Sequence, residues 1–186
     1  MKTGKTKASL GRSKLHPACV QIYTGNGKGK TTAALGLALR AVGAGLRVLF
    51  AQFLKGRSSS ELAALRRFRN QIRVVRCGRP GFIRGKPAPA DMTAARNGWK
   101  KIQRILARTK CDIVILDELN LALHHQLLDL SQILDFIAHR PPGMEVIITG
   151  RSLPKQLAQK AELITEMREV KHYYRKGIPA RKGIEW

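Results

Sequence analysis

Acidic residues, aromatics and cysteine are all scarce in this chain. Asp and Glu supply 12 of its 186 residues against 35 Lys and Arg, a formal net charge of +23, and no carboxylate stands before Glu61. Such a surface attracts polyanions weakly and without sequence preference, and it can steer a small anion. Aromatics make up 5% of the residues and form no aromatic-interleaved basic ribbon of the kind single-strand binders stack bases on. Nucleic-acid binding is therefore the second reading of the charge, and a basic-surfaced enzyme the first. Cys19, Cys77 and Cys111 have no metal-ligand spacing. Their odd number fits a reducing compartment and sets the cytoplasm as the expected location. Cys19 and Cys111, beside apolar runs, read as small buried residues. No apolar run reaches the length of a membrane span. The basic N-terminus lacks the apolar h-region of a secretory signal. No internal repeat is visible.

Against these absences stands a glycine- and lysine-rich loop, Thr24-Gly25-Asn26-Gly27-Lys28-Gly29-Lys30-Thr31-Thr32, between the apolar Val20–Tyr23 and an alanine- and leucine-rich stretch. Strand, loop and helix in that order suit a nucleotide triphosphate. Glycines let backbone N–H groups converge on phosphate oxygens, and the helix N-terminus favours negative charge. In this pattern Lys30 reaches the outer phosphates and the Thr31 hydroxyl binds Mg²⁺. Thr24 stands where the consensus has Gly. A second signal is Cys111–Glu118, an apolar run ending in Asp117-Glu118. A β-branched run of this length reads as a buried parallel strand, and ligands bind at the C-terminal ends of such strands. Asp117 is the candidate for holding Mg²⁺ directly or through water, and Glu118 for a second Mg²⁺ contact or a base. Two carboxylates after a strand also suit a helix N-cap; the glycine loop favours the metal reading.

Residues 1–17 read as a basic flexible arm and 18–186 as one P-loop domain. Expected helices are Lys30–Val42, Ser58 to about Phe68 with a Ser58/Glu61 capping box, a helix capped by Asp91, Asn120–Leu128, Ser131–Ala138 and Pro154–Ala161. Met92, Ala95, Trp99, Ile102 and Ile105 share one helical face, which marks Trp99 as core. Expected strands are Val20–Tyr23, Arg47–Phe53, Ile72–Cys77, the Asp117 strand, Glu145–Thr149 and Leu163–Glu166. Their alternation with helices predicts an α/β fold, a mainly parallel sheet flanked by helices in the RecA-like manner. The Gly/Pro-rich stretch 78–89 cannot be a regular element and reads as a loop that is either functional or disordered. Gln52 and Lys55, after the second strand, are candidates for lining the nucleotide pocket. Arg151, past another strand end, is a candidate for contacting the bound ligand, its phosphates included, or for capping a carbonyl. His124 and His125 have no third ligand at useful spacing and read as a solvated helix face.

Several of these segments together resemble one family: Tyr23–Thr32, Gln52-Phe53-Leu54-Lys55-Gly56, Leu116-Asp117-Glu118-Leu119, Val146–Arg151, Lys171-His172 and the closing Gly183-Ile184-Glu185. It is the P-loop type of ATP:corrinoid adenosyltransferase, and Thr at the head of the loop is a habit of its members. The resemblance implies transfer of the 5′-deoxyadenosyl group of ATP to Co(I) of a corrinoid such as cobalamin, with release of triphosphate. It implies a nucleotide lying in the loop in reverse sense, with Mg²⁺ present. The loop N–H groups of Gly25 to Thr31, with Lys30, would stabilise the departing charge. Co(I) is itself the nucleophile, so none is needed from the protein, and none is evident. Phe82 falls where the family places an aromatic that displaces the lower cobalt ligand, easing reduction of Co(II) by a flavoprotein. Arg84 departs from the Trp some members carry two residues on. His172, with Tyr173 and Tyr174, is a candidate for packing the tail over the corrin site. A homodimer is a family expectation. On the residues alone, another P-loop NTPase or kinase, or a basic nucleic-acid-binding P-loop protein, stays open.

Overall fold

The computed structural model describes residues 15–55, 59–79 and 85–185. Six strands form one wholly parallel sheet in the order β3-β2-β4-β5-β1-β6. They are β1 Val20–Thr24, β2 Val48–Phe53, β3 Ile72–Cys77, β4 Ile113–Asp117, β5 Glu145–Thr149 and β6 Leu163–Glu166. The helices are α1 Lys30–Gly43, α2 Ser60–Leu65, α3 Pro89–Arg108, α4 Leu119–His124, α5 Leu130–Ala138 and α6 Lys155–Ala158, with 3₁₀ turns at Arg66–Phe68 and Tyr173–Lys176.

Parallel strands buried on both faces need apolar side chains at every position. In β4, Val114 and Leu116 join the core with α3, α4 and α5, while Ile113 and Ile115 join the core with α1 and α2. One face of α1 is Ala34, Ala38 and Ala41, fully or almost fully buried, and these short side chains bring the helix close to the sheet. On α3, Ala95, Trp99, Ile102 and Ile105 are buried as the periodicity predicts. Trp99 packs edge-on against Phe136 with ring centroids 5.4 Å apart. A Cβ on Gly98 would lie 2.5 Å from Cys77 Sγ, so only glycine admits β3 this close to α3.

The expected strands and the α/β layout hold. Boundaries shift at the helices. Asp91 is not the N-cap of α3: Pro89 fits the first helical position, Ala88 is the cap, and the Asp91 carboxylate accepts the Ala88 N–H at 3.0 Å. The α2 helix starts at Ser60 with Ser59 as its cap; Ser58 lies outside the described residues. The α4 helix is shorter than expected because Gln126 adopts a left-handed conformation, and α6 ends at Ala158, where a turn leads toward β6. Most of the expected basic arm lies outside the described residues. No described helix is long and apolar enough to cross a membrane.

Candidate functional site

Three strand ends and the glycine loop converge at the C-terminal edge of the parallel sheet, the edge at which ligands bind in open α/β folds. Backbone strain concentrates there. Leu54 after β2, Glu118 after β4 and Ser152 after β5 all have φ between 55° and 62°, and Gly150 has φ 135°. A non-glycine side chain held at positive φ costs about 1–3 kcal/mol and persists only where the surroundings over-determine it.

At the centre is Asp117, fully buried at the end of β4. Its Oδ1 accepts the Thr31 hydroxyl at 2.8 Å and the Thr149 hydroxyl at 2.7 Å, and its Oδ2 accepts the Gln52 amide at 2.9 Å. Thr149 in turn accepts the Glu118 N–H at 2.9 Å. Thus α1, β2 and β5 each contribute a donor to one carboxylate carried by β4. The register explains it: Gln52 pairs with Asp117 across β2 and β4, and Thr149 ends the next strand.

The loop is held from both sides. Lys30, 7% exposed, donates to the carbonyls of Gly25 and Gly27 at 2.7 and 2.8 Å. Burial draws its ammonium below the ordinary lysine range, opposed by Glu118 and Asp117 and reinforced by Arg151. From outside, the Met167 carbonyl accepts the Gly27 N–H at 2.6 Å. A Cβ at Gly25 or Gly27 would stand 2.5 or 2.7 Å from that same oxygen, so the spacing of glycines is set by the backbone after β6. Arg151 donates to the Asn26 carbonyl at 3.2 Å. Lys28 turns away from the loop toward the C-terminal segment, its Nζ 2.8 Å from the Ile184 carbonyl.

The Glu118 carboxyl at this edge is raised above its ordinary value. Burial pushes it up and the neighbouring Asp117 adds to that, while Lys55, Lys30 and Arg151 pull it back down. Asn120, fully buried, donates to the Gly150 carbonyl at 3.0 Å and holds the turn after β5.

The oxygen set fits a hydrated Mg²⁺. Thr31 Oγ1 and the Asp117 carboxylate are hard donors, and Gln52 Oε1, beside them, is buried without a hydrogen-bond partner. Among the described residues no group of three His, Cys, Asp or Glu side chains could hold a metal alone. A cation here would need phosphate oxygens and water to complete its shell, the usual habit of Mg²⁺ at nucleotide sites.

Of the residues singled out in the sequence, Gly25, Asn26, Gly27, Gly29, Lys30, Thr31, Gln52, Asp117, Glu118 and Arg151 gather at this edge through the contacts above. Thr32 faces outward on α1, and Lys55 follows the strained Leu54. Phe82 and Arg84 lie outside the described residues. His172 caps the 3₁₀ turn, its Nδ1 accepting the Tyr174 N–H at 3.1 Å. Sequence reasoning missed Thr149, Asn120 and Met167. Thr149 was findable as a hydroxyl closing an apolar strand next to Asp117, and Asn120 as one amide among Leu119, Leu121 and Leu123. Met167 acts through its backbone, which leaves no sequence signal.

Solved structures and sequences place this geometry. The fold resembles that of the KaiC-like protein PH0186 from Pyrococcus horikoshii, with TM-score 0.55 and 16% identity over 83% of this chain and 74% of that one. The Corrinoid adenosyltransferase of Pseudomonas aeruginosa is 37% identical over 89% of this chain and 82% of its own. Those of Escherichia coli K12 and Salmonella typhimurium are 34% and 33% identical, each over 98% of this chain and 92% of theirs. The family profile described as ATP:corrinoid adenosyltransferase BtuR/CobO/CobP matches residues 16–186. The chain that builds this carboxylate-centred phosphate loop belongs to the ATP:corrinoid adenosyltransferase family.

Proposed function

We propose that this chain transfers the 5′-deoxyadenosyl group of ATP to Co(I) of a corrinoid and releases triphosphate. Co(I) supplies the electron pair that forms the Co–C5′ bond, and the C5′–O bond breaks with its pair leaving on the triphosphate. What most supports the reading is the family match over residues 16–186 together with a phosphate loop whose Thr31 is hydrogen-bonded to Asp117.

The protein's work in such a reaction is positioning and charge stabilisation, because the nucleophile arrives with the substrate. Loop N–H groups from Gly25 to Thr31 and the Lys30 ammonium would hold the triphosphate as it gains charge. Lys30 would exchange one of its two carbonyl bonds for a phosphate oxygen, at little cost, since a lysine has three donors. Thr31 and Asp117, with Gln52 behind them, would hold Mg²⁺, which when bound neutralises phosphate charge. Glu118, on its strained turn, would bind a water of that cation. Lys55 and Arg151 would flank the nucleotide. Phe82 remains the candidate for facing cobalt from below. A homodimer, a reduced flavoprotein as electron donor and a cytoplasmic location complete the proposal; three free cysteines accord with that location.

The test is a single turnover with ATP, Mg²⁺ and chemically reduced corrinoid. Adenosylcorrinoid and triphosphate in equal amounts are expected. ADP and phosphate, indifferent to corrinoid, would instead mark an NTPase or kinase and end this reading.

A further inference from the structure

The C-terminal segment folds back and ties itself to the phosphate loop at two points. Just after β6 the Met167 carbonyl takes the Gly27 N–H. Glu169 then pairs with Arg175 at 2.7 Å across the 3₁₀ turn. The chain returns so that Glu185 becomes a hub. Its carboxylate accepts the Tyr173 hydroxyl and, at 2.7 Å, the Arg181 N–H, and it lies 3.5 Å from Lys28 Nζ. Arg181 also stacks over the Tyr173 ring, 4.9 Å from its centre. Tyr173 and Arg181 hold the Glu185 carboxyl down to about 2. Lys28 itself donates to the Ile184 carbonyl.

We propose that Glu185 is a positioning residue for nucleotide binding: it pins the Lys28 side chain outward and thereby fixes the shape of the phosphate loop, with residues 167–185 serving as a strap across it. The inference rests on the proposed reaction, because the loop it stiffens is the triphosphate cradle. Lys28 stands between Gly27 and Gly29, and Gly29 has φ 120°. Glycine on both sides leaves this part of the loop with the largest conformational freedom to lose. A side chain anchored at both its carbonyl and its carboxylate contact removes that freedom before nucleotide arrives. The same anchoring spends the Lys28 ammonium, so the loop grips phosphate through Lys30 and backbone N–H groups, and Lys28 acts as the peg.

A double-mutant cycle on Lys28→Met and Glu185→Gln decides the matter. MgATP binding is measured by calorimetry without corrinoid, and KM and kcat for adenosyl transfer are measured beside it. Each single variant is expected to weaken ATP binding and raise its KM about threefold to tenfold, the range for a partly exposed, charge-assisted pair, with kcat changed less than twofold. The double variant should be no worse than the worse single one, and Glu185→Asp should recover part of the loss. Additive effects, unchanged affinity in Glu185→Gln, or tighter binding because Lys28 is released toward phosphate would each overturn the proposal. So would a fall in kcat and thermal stability with KM intact, the mark of a purely structural tail. If Glu185→Gln does not fold, Tyr173→Phe removes one partner of the same carboxylate and must show the same KM-selective loss. The calorimetry contains no corrinoid, so it separates the two ideas. Absent coupling with transfer intact overturns the strap alone, and absent transfer with coupling present overturns only the reaction.

Discussion

Replacing Asp117 with Asn separates the carboxylate's charge from its shape. The two side chains are isosteric, so nothing is lost in packing. The new amide must present an NH₂ where an oxygen was. Toward Thr31 and Thr149 an oxygen can remain, and both hydroxyls keep donating. Toward Gln52 the NH₂ would face another NH₂, but a rotated Gln52 amide presents Oε1, the atom that has no partner in the wild-type arrangement. The rotation leaves the Gln52 NH₂ where Oε1 stood, so one Gln52 polar atom is without a partner before and after the substitution. What remains is the fall of three charge-assisted bonds to neutral ones, about 1 kcal/mol each. Against it stands relief of the desolvation of a fully buried carboxylate, several kcal/mol in the opposite direction. The terms nearly cancel or favour Asn, so the melting temperature should stay within about 4 °C of wild type or rise. Activity should not survive: if Asp117 holds the cation as proposed, losing its anionic oxygen removes several kcal/mol of charge stabilisation, roughly a hundredfold or more in turnover. Thermal unfolding without nucleotide and an Mg²⁺ titration of adenosyl transfer give the two readouts. A drop of 8 °C or more, or transfer within fivefold of wild type, refutes the account of Asp117.

Lys30→Met should cut transfer by roughly a hundredfold or more while the protein stays folded, checked by adenosylcorrinoid formation and circular dichroism. Gly25→Ala places a Cβ 2.5 Å from the Met167 carbonyl at φ 91°, and should destabilise by roughly 2 kcal/mol or more, read as a lower urea midpoint with an unchanged slope. Glu118 gives a pH prediction. Its folded-state carboxyl is raised, so between its unfolded value of about 4.5 and the higher folded one the native state binds the extra proton. Stability is then fully present below that window and declines as pH rises through it. Glu118→Gln should abolish that decline in denaturation curves taken without nucleotide, and a parallel pH dependence in the variant would disprove the assignment.

The sheet was readable because each strand is a short run of β-branched and apolar residues, and the glycine loop fixed which strand leads. The meeting of Asp117 and Thr31 was readable because strand-end position and loop spacing bring both to the same edge of the sheet. Helix ends were less so. Asp91 carries the chemistry of a cap yet sits one turn inside α3, because Pro89 already supplies a favourable first residue. Contacts made by backbone were invisible: the Met167 carbonyl dictates glycine at two loop positions 140 and 142 residues earlier, and no side chain records it. The tie between Lys28 and Glu185 was equally hidden, since a lone glutamate near a chain end looks like solvated surface.

The placement of β1 has a consequence for biosynthesis. Its two neighbours are β5 and β6, so the first strand to be translated is walled in by the last two. During translation the glycine-rich turn after β1 has no flanking partners, and the carbonyl that braces it belongs to residue 167. Contacts of such long sequence separation form late and slowly. A nascent chain of this kind acquires affinity for ATP only once β6 and residue 167 have emerged, and a protein cut short before β6 should have no nucleotide grip at all.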